Sequence, residues 1–197
     1  MNSYQQLIAK SRYARYLPEQ KRRENWDETS TRWVDFFKEQ LKDKINTQDT
    51  IWDILGTSIN SLSVLPSMRS VMTAGEALKR THVAAYNCSY LPVDNKRCFD
   101  EAMYILLCGT GVGFSCEKQY VDKLPTVPSL EESDKIITVE DSKEGWCEAY
   151  KLLISRLYAG TIPKWDVSLV RPAGAPLKTF GGRASGPGPL IDLFQYT

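Results

Sequence analysis

Histidine is almost missing: the 197 residues include one, His82, so imidazole cannot serve repeatedly as a metal ligand or catalytic base. A Cys–His nucleophile pair could be built only from His82 and Cys88, which an intervening strand would set on one face at some distance. There is no C-x-x-C pair. The five cysteines (88, 98, 108, 116 and 147) are an odd number spaced ten, ten, eight and thirty-one apart, which fits neither a disulfide framework nor a zinc site. No stretch approaches the roughly 18 apolar residues of a membrane span, and Met1 to Lys10 lacks the apolar run of a signal peptide. An excess of one charge is also absent, with 25 Lys and Arg against 24 Asp and Glu, which argues against a general nucleic-acid or membrane-surface role. A cytoplasmic protein with reduced thiols, each acting singly, is expected.

What is present is an ordinary globular composition, 42% apolar with five Trp, ten Tyr and six Phe, long enough for one large domain or a small domain plus part of a second. Trp33, Val34, Phe36, Phe37 and Leu41 recur at helical spacing in a charged background, and Ile51, Ile54, Leu55, Ile59 and Leu62 predict a second helix over 50–62. Val83 to Val93 reads as a strand with Tyr86, Cys88 and Tyr90 on one face and Asn87, Ser89 and Leu91 on the other. Asp94 and Asn95 can cap a following helix that starts near an exposed Cys98, runs through Phe99, Met103, Leu106 and Leu107, and stops at Gly109. Val112 to Cys116 returns as a short strand, so the segment is a βαβ unit with neighbouring parallel strands. Residues 122–135 read as a loop. Asp141 with Glu144 resembles a capping box for a helix ending at Gly160, and Trp165 to Val170 reads as a strand. A long Gly- and Pro-rich loop over 171–188 leads to a helix at Pro189, whose Leu190, Ile191, Leu193 and Phe194 are expected to need apolar surface from elsewhere.

Three segments could carry chemistry. Gly109, Gly111 and Gly113 alternate at a turn into a strand, where absent side chains let a ligand approach backbone N–H groups that can hold phosphate or sugar oxygens. A helix C-cap with a tight turn explains the same glycines, because the segment lacks the Lys-Ser/Thr of a P-loop and does not open a helix. Cys88 is either a reactive thiol or a small core hydrophobe. Arg171, Lys178 and Arg183 among glycines could clasp a phosphate, or the loop could be a plain surface connection.

Seven motifs in series break these ties. Arg15-Tyr-Leu-Pro18, Leu65-Pro-Ser-Met-Arg69, Met72-Thr-Ala-Gly75, Tyr86-Asn-Cys-Ser-Tyr-Leu-Pro-Val-Asp94, Cys108-Gly-Thr-Gly-Val-Gly-Phe-Ser115, Asp141-Ser-Lys-Glu-Gly-Trp146 and Trp165-Asp-Val-Ser168, followed by the glycine-rich run, resemble the N-terminal part of the large chain of adenosylcobalamin-dependent (class II) ribonucleotide reductases. The resemblance implies an α/β fold: an N-terminal helical region over 1–65, then over 66–197 the first strands of a ten-stranded α/β barrel, incomplete in this chain, with an effector-type loop. It also implies reduction of ribonucleotides to deoxyribonucleotides by thiyl-radical chemistry, with two further cysteines supplying electrons and becoming a disulfide.

Carried over by motif, Cys88 corresponds to the first cysteine of that reducing pair. Asn87, Gly109, Gly111 and Gly113 correspond to surfaces against the substrate sugar and phosphates, and Ser70 to a phosphate-contacting hydroxyl. Asp94, Arg171, Lys178, Gly181 and Gly182 resemble the effector-sensing region. The expected partners are the ribonucleotide, a deoxynucleotide effector, a thioredoxin-type reductant and a complementary C-terminal chain carrying the radical cysteine and the second redox cysteine. Adenosylcobalamin would be bound mainly by that complementary part. Cys116 and Cys147 replace an expected Val and Ala, consistent with buried positions, and Gly188 stands where the family often has Glu. A free-standing nucleotide-binding or regulatory module and an inactive fragment remain the competing readings.

Overall fold

The computed structural model describes residues 1–177 and 182–197, and packing divides the chain into two compact units, Met1–Tyr86 and Asn87–Thr197. The boundary expected at 65/66 comes from family resemblance rather than from packing. Each unit is described by itself.

The first unit contains α1 (Ser3–Ile8), a π-helical turn (Ala9–Tyr13), an antiparallel pair β1 (Tyr16–Leu17) and β2 (Arg22–Arg23), then α2 (Trp26–Gln40), α3 (Ile51–Asn60), α4 (Met68–Thr73), α5 (Glu76–Arg80) and a 3-10 turn (His82–Ala85). A capping box starts α2: the Asn25 side chain accepts from Glu28 N at 2.8 Å while Glu28 Oε2 accepts from Asn25 N at 2.8 Å, satisfying two orphan donors of the first turn. The buried stripe of α2 faces two ways, Phe36 onto Ala74, Leu78 and Ala84, and Val34 onto Trp52 and Ile59 of α3. The unit also holds an ion pair that periodicity does not reveal. Glu24 accepts from Arg32 Nε at 2.8 Å, Arg32 Nη2 at 3.0 Å, Thr29 Oγ1 at 3.0 Å and Arg15 N at 3.1 Å. Arg32 in turn donates to the carbonyls of Val71, Ala74 and Tyr13. The Arg15 and Met72–Gly75 motifs therefore meet in one structural lock.

The second unit is two βαβ segments. In the first, β3 (Cys88–Pro92) and β4 (Gly111–Ser115) pair in parallel and are joined by α6 (Cys98–Leu107). After a short α7 (Lys118–Val121), β5 (Glu131–Thr138) and β6 (Thr161–Asp166) form a second parallel pair joined by α8 (Lys143–Leu157), and α9 (Gly188–Tyr196) follows. The core is formed by Ile137 and Val139, the inner face of α8 (Ala149, Tyr150, Leu153, Ile154), Val170, Leu190 and Phe194.

Several expectations are corrected. The strand predicted from Val83 begins at Cys88, because Val83–Ala85 turn inward with Ala84 fully buried. The loop predicted over 122–135 yields to β5 from Glu131, a strand masked by its charges, of which Ile137 alone is buried. The Trp165–Val170 strand is displaced to Thr161–Asp166; with one partner strand, β6 tolerates Pro163. Asp94 and Asn95 do not cap α6 at its N-cap, Arg97; Asn95 instead turns the backbone two residues earlier by accepting from Arg97 N at 2.8 Å. Ser142, not Asp141, caps α8 by accepting from Gly145 N at 2.9 Å.

The final helix needs no outside surface at Leu190 and Phe194. These i, i+4 neighbours are buried on α8 and β6, with Phe194 stacked on Tyr150 at 6.1 Å and edge-on to Trp165 at 5.6 Å between ring centroids. Cys98 is buried rather than exposed, Cys116 is exposed rather than buried, and Cys147 is buried as expected. No helix among the described residues is long and apolar enough to cross a membrane.

Candidate functional site

The parallel register of β3 and β4 sets Cys88 beside Gly111 and Tyr90 beside Gly113. Side chains alternate along a strand, so Cys88 and Tyr90 share one face while Leu91 packs on the other. That face is open: Cys88 is exposed and Tyr90 is 60% exposed. Across from them β4 offers bare backbone. Asn87, also exposed, lies just before the strand, where its carbonyl accepts from Gly111 N at 2.9 Å.

The three glycines do different jobs. Gly109 has φ +81° and follows α6, with its N–H donating to Leu106 O at 2.8 Å, so helix termination accounts for it. Gly111 and Gly113 show no positive φ, so backbone conformation does not call for glycine at either. A Cβ there would lie 3.5 Å from Asn87 O, and at Gly113 3.7 Å from Ser89 O, both ordinary contacts. The fold therefore tolerates side chains at both positions. Their glycine identity keeps the surface beside Cys88 low and its backbone accessible.

Sequence reasoning missed the side chains around the Tyr90 end of this face. The Tyr120 phenol is raised in pKa by the neighbouring Tyr90 phenol. Lys123 Nζ sits 5.5 Å from the Tyr120 ring centroid and 3.7 Å from Asp94 Oδ2. Asp94 also accepts from Asn95 Nδ2 at 2.8 Å. Tyr90 was visible on the Cys88 face by alternation, but nothing local identified Tyr120, from a four-residue helix, as its neighbour.

The other expected site residues lie elsewhere. Ser70, in the first unit, is buried on α4; its hydroxyl donates to Ser67 O at 2.8 Å and accepts from Trp33 Nε1 at 2.9 Å. Arg171 is held by Asp141, with Nε 2.9 and 2.8 Å from the two carboxylate oxygens and its N–H on Oδ1 at 3.2 Å. It fixes the root of the 171–188 loop. Beyond it Pro176 and Arg183 form an antiparallel bridge, and Leu177 N donates to the carbonyl of Gly182, whose φ is +89°. Lys178 and Gly181 lie outside the described residues. A second thiol setting occurs between α6 and α8, where Lys143 Nζ is 3.5 Å from Cys108 Sγ and 3.5 Å from Tyr104 Oη. Burial pushes the Cys147 thiol up to about 11. No group of His, Cys, Asp and Glu among the described residues could hold a metal ion.

Residues 114–196 match the family model of the B12-dependent ribonucleotide reductase insertion domain. The adenosylcobalamin-dependent ribonucleoside-triphosphate reductase of Lactobacillus leichmannii is 30% identical over 256 residues, covering 93% of this chain and 34% of that protein. Its counterpart from Euglena gracilis is 32% identical over 146 residues, covering 70% of this chain and 20% of that protein. In structure the chain is similar to a crystallised B12-dependent (class II) ribonucleotide reductase, with a TM-score of 0.80 and 26% identity over 96% of this chain and 36% of the other. A cysteine strand paired in parallel with a glycine strand, within this α/β arrangement, thus goes with a likeness to ribonucleotide reductases. More narrowly, the chain belongs to the adenosylcobalamin-dependent, class II family and corresponds to an N-terminal part of its catalytic chain. It spans about a third of the length of the curated relatives it matches.

Proposed function

We propose that this chain forms one wall of the active site of a class II reductase that converts ribonucleotides to deoxyribonucleotides, with Cys88 as the first thiol of the reducing pair. The observation that carries this reading is the register: an exposed cysteine lies beside a glycine whose bareness the fold does not require. Two thiols and a ribonucleotide become a disulfide, a deoxyribonucleotide and water; the thiols give up two protons and two electrons, and the 2′ oxygen leaves with hydrogen. Cys88 supplies one thiol, and the complementary polypeptide supplies the other along with the cysteine that abstracts hydrogen. A strand suits the task because it holds the sulfur at fixed depth against the sugar, while a thioredoxin-type reductant returns the disulfide to the dithiol state.

Asn87 and the Gly111 and Gly113 backbone form the floor under the sugar and phosphates. Ser70 is the weakest member of the substrate set, since its single O–H is already used on Ser67 O. The described relatives reduce triphosphates by name, and a ribonucleoside triphosphate is the proposed substrate. We read the β3–α6–β4 segment as barrel and the remainder, after β4, as the insertion region. The loop rooted there by Arg171 and Asp141, with Lys178, Gly181 and Gly182, and Asp94 from the preceding β3–α6 connection, form the proposed deoxynucleotide effector region. Adenosylcobalamin supplies radical initiation when bound to the complete enzyme. Donors for it do not assemble among the described residues, where the single imidazole, His82, opens a 3-10 turn whose Ala84 packs in the core of the first unit, and no step is assigned to this chain through it.

The test is reconstitution. The chain alone is expected to form no deoxynucleotide, and the chain combined with a complementary C-terminal polypeptide, adenosylcobalamin, a dithiol and a ribonucleoside triphosphate is expected to form it. An assembled, cobalamin-loaded complex that yields no product overturns the proposal.

A further inference from the structure

We infer that Tyr90 is a substrate-positioning residue that receives the nucleobase at one end of the trough whose other end is Cys88. The inference rests on the active-site reading above and adds a residue and an orientation to it. Cys88 and Tyr90 are two residues apart on one strand face, a separation of about 7 Å. Beside them Gly111 and Gly113 present no side chains, and a Cβ at either would touch nothing nearer than the Asn87 or Ser89 carbonyl. The face is therefore a shallow trough with bare backbone along β4, a sulfur at one end and an aromatic ring at the other.

The length of that trough fits a nucleoside. A ribose over Gly111 puts its 2′ carbon by the Cys88 sulfur, and the base, joined at the adjacent 1′ carbon, then extends toward Gly113 and the Tyr90 ring. That ring is 60% exposed, so a face remains available for stacking. Tyr90 is also held in place. Its phenol adjoins that of Tyr120 on α7, and Tyr120 in turn lies under the Lys123 ammonium, which pairs with Asp94. With its phenol on Tyr120, the ring can act as an end-stop that tolerates any base, since every base has a stacking face. A mere surface tyrosine needs no such bracing.

The experiment uses the complete reductase and reads the alkylation of Cys88 by iodoacetamide, with and without a ribonucleoside triphosphate, alongside steady-state kinetics. In the wild type, nucleotide is expected to slow Cys88 alkylation. Tyr90→Ala and Tyr90→Leu are expected to raise KM, and the nucleotide concentration needed for protection, by roughly five- to a hundred-fold, the range for losing one aromatic stack; kcat should change less. Tyr90→Phe keeps the stacking ring and loses only the phenol contact with Tyr120, so it should recover most of the loss in both values. Unchanged KM and protection in either the Ala or the Leu variant overturns the assignment of Tyr90 while leaving Cys88 in place, as does a Phe variant that fails to rescue. Absence of nucleotide protection in the wild type overturns the trough and the underlying active-site reading together.

Discussion

Replacing Glu24 with glutamine is expected to destabilise the first unit by about 3 kcal/mol, the lower end of the range for breaking a buried ion pair. Glu24 is 5% exposed and accepts four hydrogen bonds, two from Arg32 and one each from Thr29 and the Arg15 backbone. Glutamine keeps the volume but turns one acceptor into a donor and leaves the Arg32 charge, 15% exposed, without its counter-ion. The cost stays at the lower end because Arg32 retains the carbonyls of Val71, Ala74 and Tyr13. Burial alone would raise the Glu24 pKa, but the bonds from Arg32, Arg15 and Thr29 together hold it below its ordinary 4.5. Its contribution is therefore complete above the unfolded value and lost as pH falls through the depressed folded one. Urea unfolding followed by the fluorescence of Trp26, Trp33 and Trp52 measures the loss, and the variant should also show a flatter acid limb. A change below about 1 kcal/mol, or an unaltered acid limb, would refute the argument that this pair locks the unit.

Gly111→Val should leave the unfolding transition of the chain nearly unchanged while sharply lowering turnover in the complete enzyme; a fall in stability that accounts for the lost activity would return the glycine to a structural role. Phe194→Ala should cost about 3–5 kcal/mol, since it opens a cavity between Tyr150 and Trp165, and Trp165 fluorescence during denaturation checks it. Thiol labelling of the native chain at pH 8 should modify Cys88 and Cys116, with Cys98, Cys108 and Cys147 reacting only on unfolding; for Cys147, burial and a pKa near 11 act together. Fast native labelling of Cys147 would contradict both.

What could be read from sequence followed the strength of local signals. The periodic apolar stripes of α2 and α3, the βαβ order around Cys88 and Gly111, and the Pro189 first turn of α9 were legible because apolar period and Gly or Pro breakers agreed. β5 was not: it buries a single isoleucine, and Glu131 to Lys135 read as loop. The burial of Leu190 and Phe194 was illegible because their partners, Tyr150 and Trp165, are distant in sequence. The same holds for the Glu24 lock, where Arg15 and α2 meet on one carboxylate and Arg32 carries the contact on to Val71 and Ala74. At the site, alternation placed Cys88 and Tyr90 on one face, but the bareness of Gly111 and Gly113 acquired meaning only with the register, which sets each beside a β3 side chain and shows that the backbone does not need glycine.

The role of Cys88 is tested most directly by Cys88→Ser in the complete enzyme, assayed over many turnovers with an external dithiol. Oxygen replaces sulfur at an exposed strand position with little change of volume, so folding and assembly should be retained, yet no disulfide can form and repeated reduction of ribonucleotide should cease. Normal multiple-turnover deoxynucleotide formation by the serine variant would contradict the account.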